Sequence, residues 1–206
     1  MKDYKYKSIA LIAEEFENVD LHFRRELAFN DSMEILSIGF SVENGPNVIL
    51  RYCKLDDDND VRIMSSDIIE NISKSKYPRM LEVCNMLSYE DDFLTYYLDR
   101  GGSVHVSYTF PVFLGDDGMG RAAVEMLWRI KESLDKWYPT LMKALYTDED
   151  LGFFIDEQKM IAAAKAMSLA QMVNRSLQED EADDSLEILQ EEDDDLLQSM
   201  QEDEAD

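Results

Sequence analysis

The run "EILSIGFSVENGPNVILRYCKL" limits the fold more than any other part of the chain. Two stretches rich in β-branched and aromatic residues flank Asn44-Gly45, a pair suited to the left-handed backbone of a tight hairpin turn. An antiparallel hairpin is predicted there. "LHFRREL", with Leu21, Phe23, Arg25 and Leu27 on one face, adds a marginal strand before it, and "DVRIM" adds one after the turn "DDDN". Together they predict an antiparallel meander of three or four strands.

Helices frame this meander. Ile9, Ile12, Ala13 and Phe16 recur at helical spacing between about Tyr4 and Asn18, with Glu14, Glu15 and Glu17 on the other side. A second helix is predicted from near Lys76 to Leu87, with Pro78 in its first turn and Met80, Leu81, Val83, Cys84 and Leu87 facing inward. Two strands, "FLTYYL" and "SVHVSYTF", joined by "DRGG", make a β-hairpin. A long helix follows from Gly118 to about Tyr138, its apolar stripe reading Val124, Leu127, Trp128, Leu134 and Trp137, so that Trp128 ranks among the costliest residues to truncate. Pro139 lacks an N–H, so this helix should end or kink there before resuming through Leu141 and Leu145. The fold class is α+β: helix, antiparallel meander, helix, β-hairpin, long helix.

Beyond residues 1–150, read as a domain that folds by itself, lie a helical extension over 151–178 and an acidic tail over 179–206. The extension's helix, from Asp156 to about Leu177, offers only Met160, Ala163, Met167, Ala170 and Leu177, which bury little. Of the 45 acids, 15 fall between Glu179 and Asp206, where there is no Lys or Arg; the remaining 30 face 20 bases. Such a tail reads as disordered. Leu186, Leu189, Leu196 and Met200 would align on one side of a helix if a basic partner neutralised the acids between them.

The net charge of −25 repels nucleic-acid phosphate and anionic lipid, and neither is expected as a partner. Glu14 and Glu15 cut the first apolar run too short for a signal peptide, and no segment has the roughly 18 apolar residues of a membrane span, so the expected location is cytoplasmic. Cys53 and Cys84 are isolated and read as buried, reduced thiols.

No catalytic constellation or cofactor motif emerges, and no cofactor or metal is expected. Asp56, Asp58, Asp60 and Asp67 echo a calcium-loop spacing, but Val61 stands where the loop needs glycine and the flanks read as strands. Gly115, Gly118 and Gly120 precede a helix, yet Asp116 and Asp117 would repel phosphate there. His105 shares the polar face of its strand with Ser103 and Ser107, and nothing at motif spacing activates it or His22. Ser32, Ser65 and Ser66 read as turn and cap residues. Phe93, Tyr96, Tyr97, Tyr108 and Phe110 alternate between the two faces of their hairpin, so some must lie outside the core. With His105 they form the candidate protein-binding surface.

The stretch "CNMLSYEDDFLTYYLDRGGSVHVSYTFPV" resembles the YbjN family of bacterial proteins. Asn85 closing a helix, Phe93 with Tyr96 and Tyr97, Leu98-Asp99, Gly101-Gly102 and Val104-His105-Val106 carry the resemblance, which covers about residues 4–146 and includes "LDKWYPTLMKAL". It implies a fold like that of type III secretion chaperones, and a non-enzymatic protein-binding or regulatory role in sensory transduction or stress response. The partner is a protein, and a homodimer is expected. Two other readings stay open: an enzyme using carboxylates with a divalent metal at Asp56–Asp60 or Asp91/Asp92, and a scaffold whose acidic tail binds basic partners.

Overall fold

The computed structural model describes residues 4–55, 60–111, 116–149 and scattered positions between 152 and 171. The chain divides into two compact units, Met1–Ile155 and Asp156–Asp206. In the first, α1 (Lys7–Asn18) leads into β1 (Arg24–Ala28), β2 (Met33–Ser41), β3 (Asn47–Leu55) and β4 (Asp60–Ser65). A short 3-10 turn precedes α2 (Tyr77–Glu90), followed by β5 (Thr95–Leu98), β6 (Val104–Pro111) and α3 (Asp116–Tyr146). The six strands form one open antiparallel sheet in the order β1-β2-β3-β4-β6-β5.

Turn chemistry fixes the register. Asn44 takes a positive φ of 57° between β2 and β3, whose nine paired positions run from Met33↔Leu55 to Ser41↔Asn47. Gly102 takes φ 86° between β5 and β6, and a Cβ there would lie 2.7 Å from the Tyr77 hydroxyl.

One face of the sheet makes a single core with all three helices. Leu36, Leu50, Tyr52, Ile63 and Val106 meet Ile9, Ile12 and Phe16 of α1, Met80, Val83 and Leu87 of α2, and Ile130, Leu134, Trp137 and Leu141 of α3. At the centre the Tyr52 hydroxyl donates to the Ala123 carbonyl at 2.9 Å, leaving its buried oxygen satisfied. At the β1 edge, fully buried Glu34 accepts hydrogen bonds from the Lys5 and Tyr6 amides and from Arg25 Nε at 2.6 Å, which ties the approach to α1 onto the sheet. Arg79 of α2 donates to the Ala144 carbonyl near the end of α3.

Several expectations need correction. Trp128 is 48% exposed while Trp137 is fully buried. The buried stripe of α3 follows Ala123, Leu127, Ile130, Leu134, Trp137 and Leu141, and Trp128 lies 100° round from Leu127, on the solvent flank. Leu81 is likewise exposed, one residue off the α2 stripe, and Leu27 is exposed in the edge strand. Helix α3 runs on through Pro139 to Tyr146, at the cost of one donor to the Asp135 carbonyl. Asn85 lies inside α2 instead of closing it.

In the second unit, the described positions Met160, Ala163 and Met167 are helical and exposed. Ala170, Leu177 and the whole tail, with Leu186, Leu189, Leu196 and Met200, lie outside the described residues. Among the described residues no helix is long and apolar enough to cross a membrane.

Truncating Trp137 to alanine should cost about 3–5 kcal/mol, and truncating Trp128 less than about 1. Urea unfolding of the two variants checks both values.

Candidate functional site

Strand alternation sends Ile35, Ser37, Ile49, Arg51, Cys53, Arg62, Met64, His105, Ser107 and Tyr97 to the face away from the helices. None of these side chains belongs to the helical core. None of α1, α2 and α3 packs on this face. Ile49 is 42% exposed, whereas Ile35 and Cys53 are buried.

At the β5–β6 end, His105 is held from three sides. Its Nε2 lies 3.3 Å from Asp67 Oδ1 and 3.5 Å from Asp99 Oδ2, and its Nδ1 lies 3.4 Å from the Ser65 carbonyl oxygen. Tyr97 stacks on the ring, with centroids 5.1 Å apart and planes 21° from parallel. Asp99 also accepts the Ser103 amide at 2.8 Å across the Gly-Gly turn. That amide first, then His105, holds the Asp99 carboxyl below its ordinary value. Burial raises the Tyr97 hydroxyl, and Asp99 adds to the effect. The cluster pins the turn to the segment after β4, and with every group engaged it reads as a clamp.

The six residues of the candidate surface separate. Tyr97 and His105 stand on the open face. Tyr96 and Phe110, each 2% exposed, are core residues of the helical face, so they leave the candidate surface. Tyr108 is half-buried on that same inner face, its ring edge-on to Phe110. Phe93, 59% exposed, sits before β5 with the Arg129 guanidinium 5.7 Å from its ring. Alternation predicts this division, but which set faces the helices depends on contacts distant in sequence.

Two clefts lie elsewhere. One, of about 240 Å³, has Asp91, Ser133, Met126, Arg129 and Lys136 among its walls. Beneath it the buried Tyr96 hydroxyl is hydrogen-bonded to Ser133, which donates to Asp91. Burial holds the Tyr96 hydroxyl well above its ordinary value, so it stays a donor. Every member of the chain is satisfied, which makes it a structural tie between the α2–β5 connection and α3. The other cleft, of about 380 Å³, places exposed His22 with Glu17 and Asp20.

Gly120 serves packing and not phosphate: α1 fills the space beside it. Gly115 and Asp56 to Asn59 lie outside the described residues. Among the described residues no three His, Cys, Asp or Glu side chains are grouped to hold a metal ion. The Ser32 hydroxyl donates to the Phe29 carbonyl in the turn after β1, as read, whereas the Ser65 and Ser66 hydroxyls accept the Val106 and Ile49 amides at the end of β4 and so bond to neighbouring strands instead of capping a turn.

The geometry defines an α+β protein with one helix-covered and one open sheet face. No protein-family model matches the chain, and no curated protein matches it.

Both cysteines are free and buried, with burial pushing Cys53 to about 11 and Cys84 to about 12. Native protein near pH 7.5 should therefore leave a disulfide thiol reagent unconsumed, and denaturant should release both thiols. Asp99, lowered below 3.8 in the fold, adds stability that is complete above about pH 5 and lost as pH falls through its lowered value. The gap in unfolding midpoint between wild type and Asp99→Asn should shrink over that acid range.

Proposed function

We propose that this chain is a non-enzymatic protein-binding module, with the open sheet face holding a segment of another polypeptide. The observation that carries the reading is the one-sided sheet: three helices share one core with one face, and the other carries exposed Ile49 with half-buried Met64 and Tyr97. The resemblance to the YbjN family adds to it, and with it come the secretion-chaperone-like fold, a regulatory role and a homodimer as parts of the same proposal.

Docking uses the face in preference to the β5 edge. The Ser88 hydroxyl of α2 accepts the Tyr96 amide at 2.8 Å and also lies within hydrogen-bond reach of the Tyr96 carbonyl, so the groups an added strand needs are already taken. Affinity capture from the native cell, read by mass spectrometry, tests the proposal. Wild type should retain a specific protein that Ile49→Asp and Met64→Asp variants of unchanged circular dichroism lose. Recovery of general chaperones alone, or equal capture by the variants, would overturn it.

A further inference from the structure

Arginines occupy the open face in three strands. Arg24 of β1 pairs with Ser37, Ser37 with Arg51 of β3, and Arg51 with Met64 of β4. Arg62 pairs with Cys53, two residues along from Arg51. Strands about 4.8 Å apart put the Arg24 and Arg51 backbones about 10 Å from each other on one row across the sheet.

These cations are poorly matched by the protein's own acids. Arg24, its side chain 82% exposed, reaches Glu26 only at 4.0 Å, and Arg51 and Arg62 have no ion-pair partner among the described residues. Asp67 and Asp99 are already engaged with His105. Asp60, on the same face of β4, stands about 7 Å along the strand from Arg62 without an ion pair to it, and about 13 Å from the row of Arg24 and Arg51, beyond the screening length of about 8 Å at physiological salt. In a chain of net charge −25, Arg51 and Arg62, without an ion pair among the described residues and interleaved with Ile49 and Met64, mark a complementary surface.

We propose that an acidic polypeptide segment with interspersed apolar side chains docks across β1 to β4, its carboxylates on Arg24, Arg51 and Arg62. This rests on the protein-binding reading and names the partner's chemistry. A chain in the polyproline II conformation, with three residues per turn and a carboxylate at every third residue, puts those carboxylates on one side about 9 Å apart, close to the spacing of the row. Duplex nucleic acid fits worse: it brings a charge every ~1.7 Å toward a strongly anionic protein, and phosphates make no use of the apolar side chains.

The test uses the full chain and fluorescent peptides of repeating Glu-Ser-Leu, about nine residues long and so able to cross the sheet. Anisotropy should show binding that weakens between about 50 and 300 mM salt and exceeds that of a Gln-Ser-Leu peptide by about tenfold. The Arg51→Glu/Arg62→Glu variant should lose about tenfold in affinity, and Arg121→Glu on α3 should not. Thermal melts confirm that both variants fold. Absence of wild-type binding, equal binding of the Gln peptide or of oligothymidylate, or an unaffected double variant would each overturn the proposal. Cellular capture that Ile49→Asp abolishes and the double variant retains would leave the protein-binding reading standing while removing the acidic partner.

Discussion

At Gly120 the helices α1 and α3 approach so closely that a Cβ would lie 2.6 Å from Glu15 Cβ and 2.9 Å from the Leu11 carbonyl oxygen. Only glycine permits that approach, and the helical layer depends on it. Six strands about 4.8 Å apart span about 24 Å, and helices packed 8–10 Å apart cover that width only as a close set of three. With α1 drawn against α3, and α2 tied to α3 through Arg79, one face is sealed tightly enough to leave Tyr52, Ile63 and Val106 wholly buried. The packing surfaces of α1, α2 and α3 are then all spent on one side. The bare opposite face is a consequence of the same packing.

Much of the architecture was legible because its causes are local. Asn44 supplies the left-handed residue of its turn by a local preference, and the alternation along β2 and β3 is carried by adjacent residues. What failed depended on contacts far apart in sequence. Leu127 and Trp128 are both apolar neighbours on α3, and the choice between them is made by where α1 meets Gly120 and where Tyr52 reaches Ala123, more than 70 residues earlier in the chain. Pro139 allows an end or a kink by local rules; the helix does not end there, since flanking Trp137 and Leu141 are fully buried and their packing outweighs one missing hydrogen bond.

The site was legible only in outline. His105 was placed on the polar face of its strand by alternation alone, but Asp67 and Asp99 meet it from a loop and a turn whose meeting no spacing announces. Glu34 shows the same limit. In "MEILS" it reads as a strand's polar position, yet it is fully buried because the chain before α1 brings two amides, and β1 brings Arg25, to its carboxylate. Such a charge is tolerated only with that full set of donors.

An open sheet face beside free edges invites indiscriminate pairing, and both edges here are blunted. Ser88 occupies the backbone groups of Tyr96 in β5, and β1 places Arg24, Arg25 and Glu26 in succession along its five residues. Interior strands have their own backbone groups committed to neighbours, so recognition on this face passes through side chains. Side chains discriminate by charge as well as by shape, and on the proposed reading Arg51 and Arg62, without an ion pair among the described residues, would disfavour basic segments as they favour acidic ones. The same two residues would then supply both the attraction and the rejection that selective binding requires.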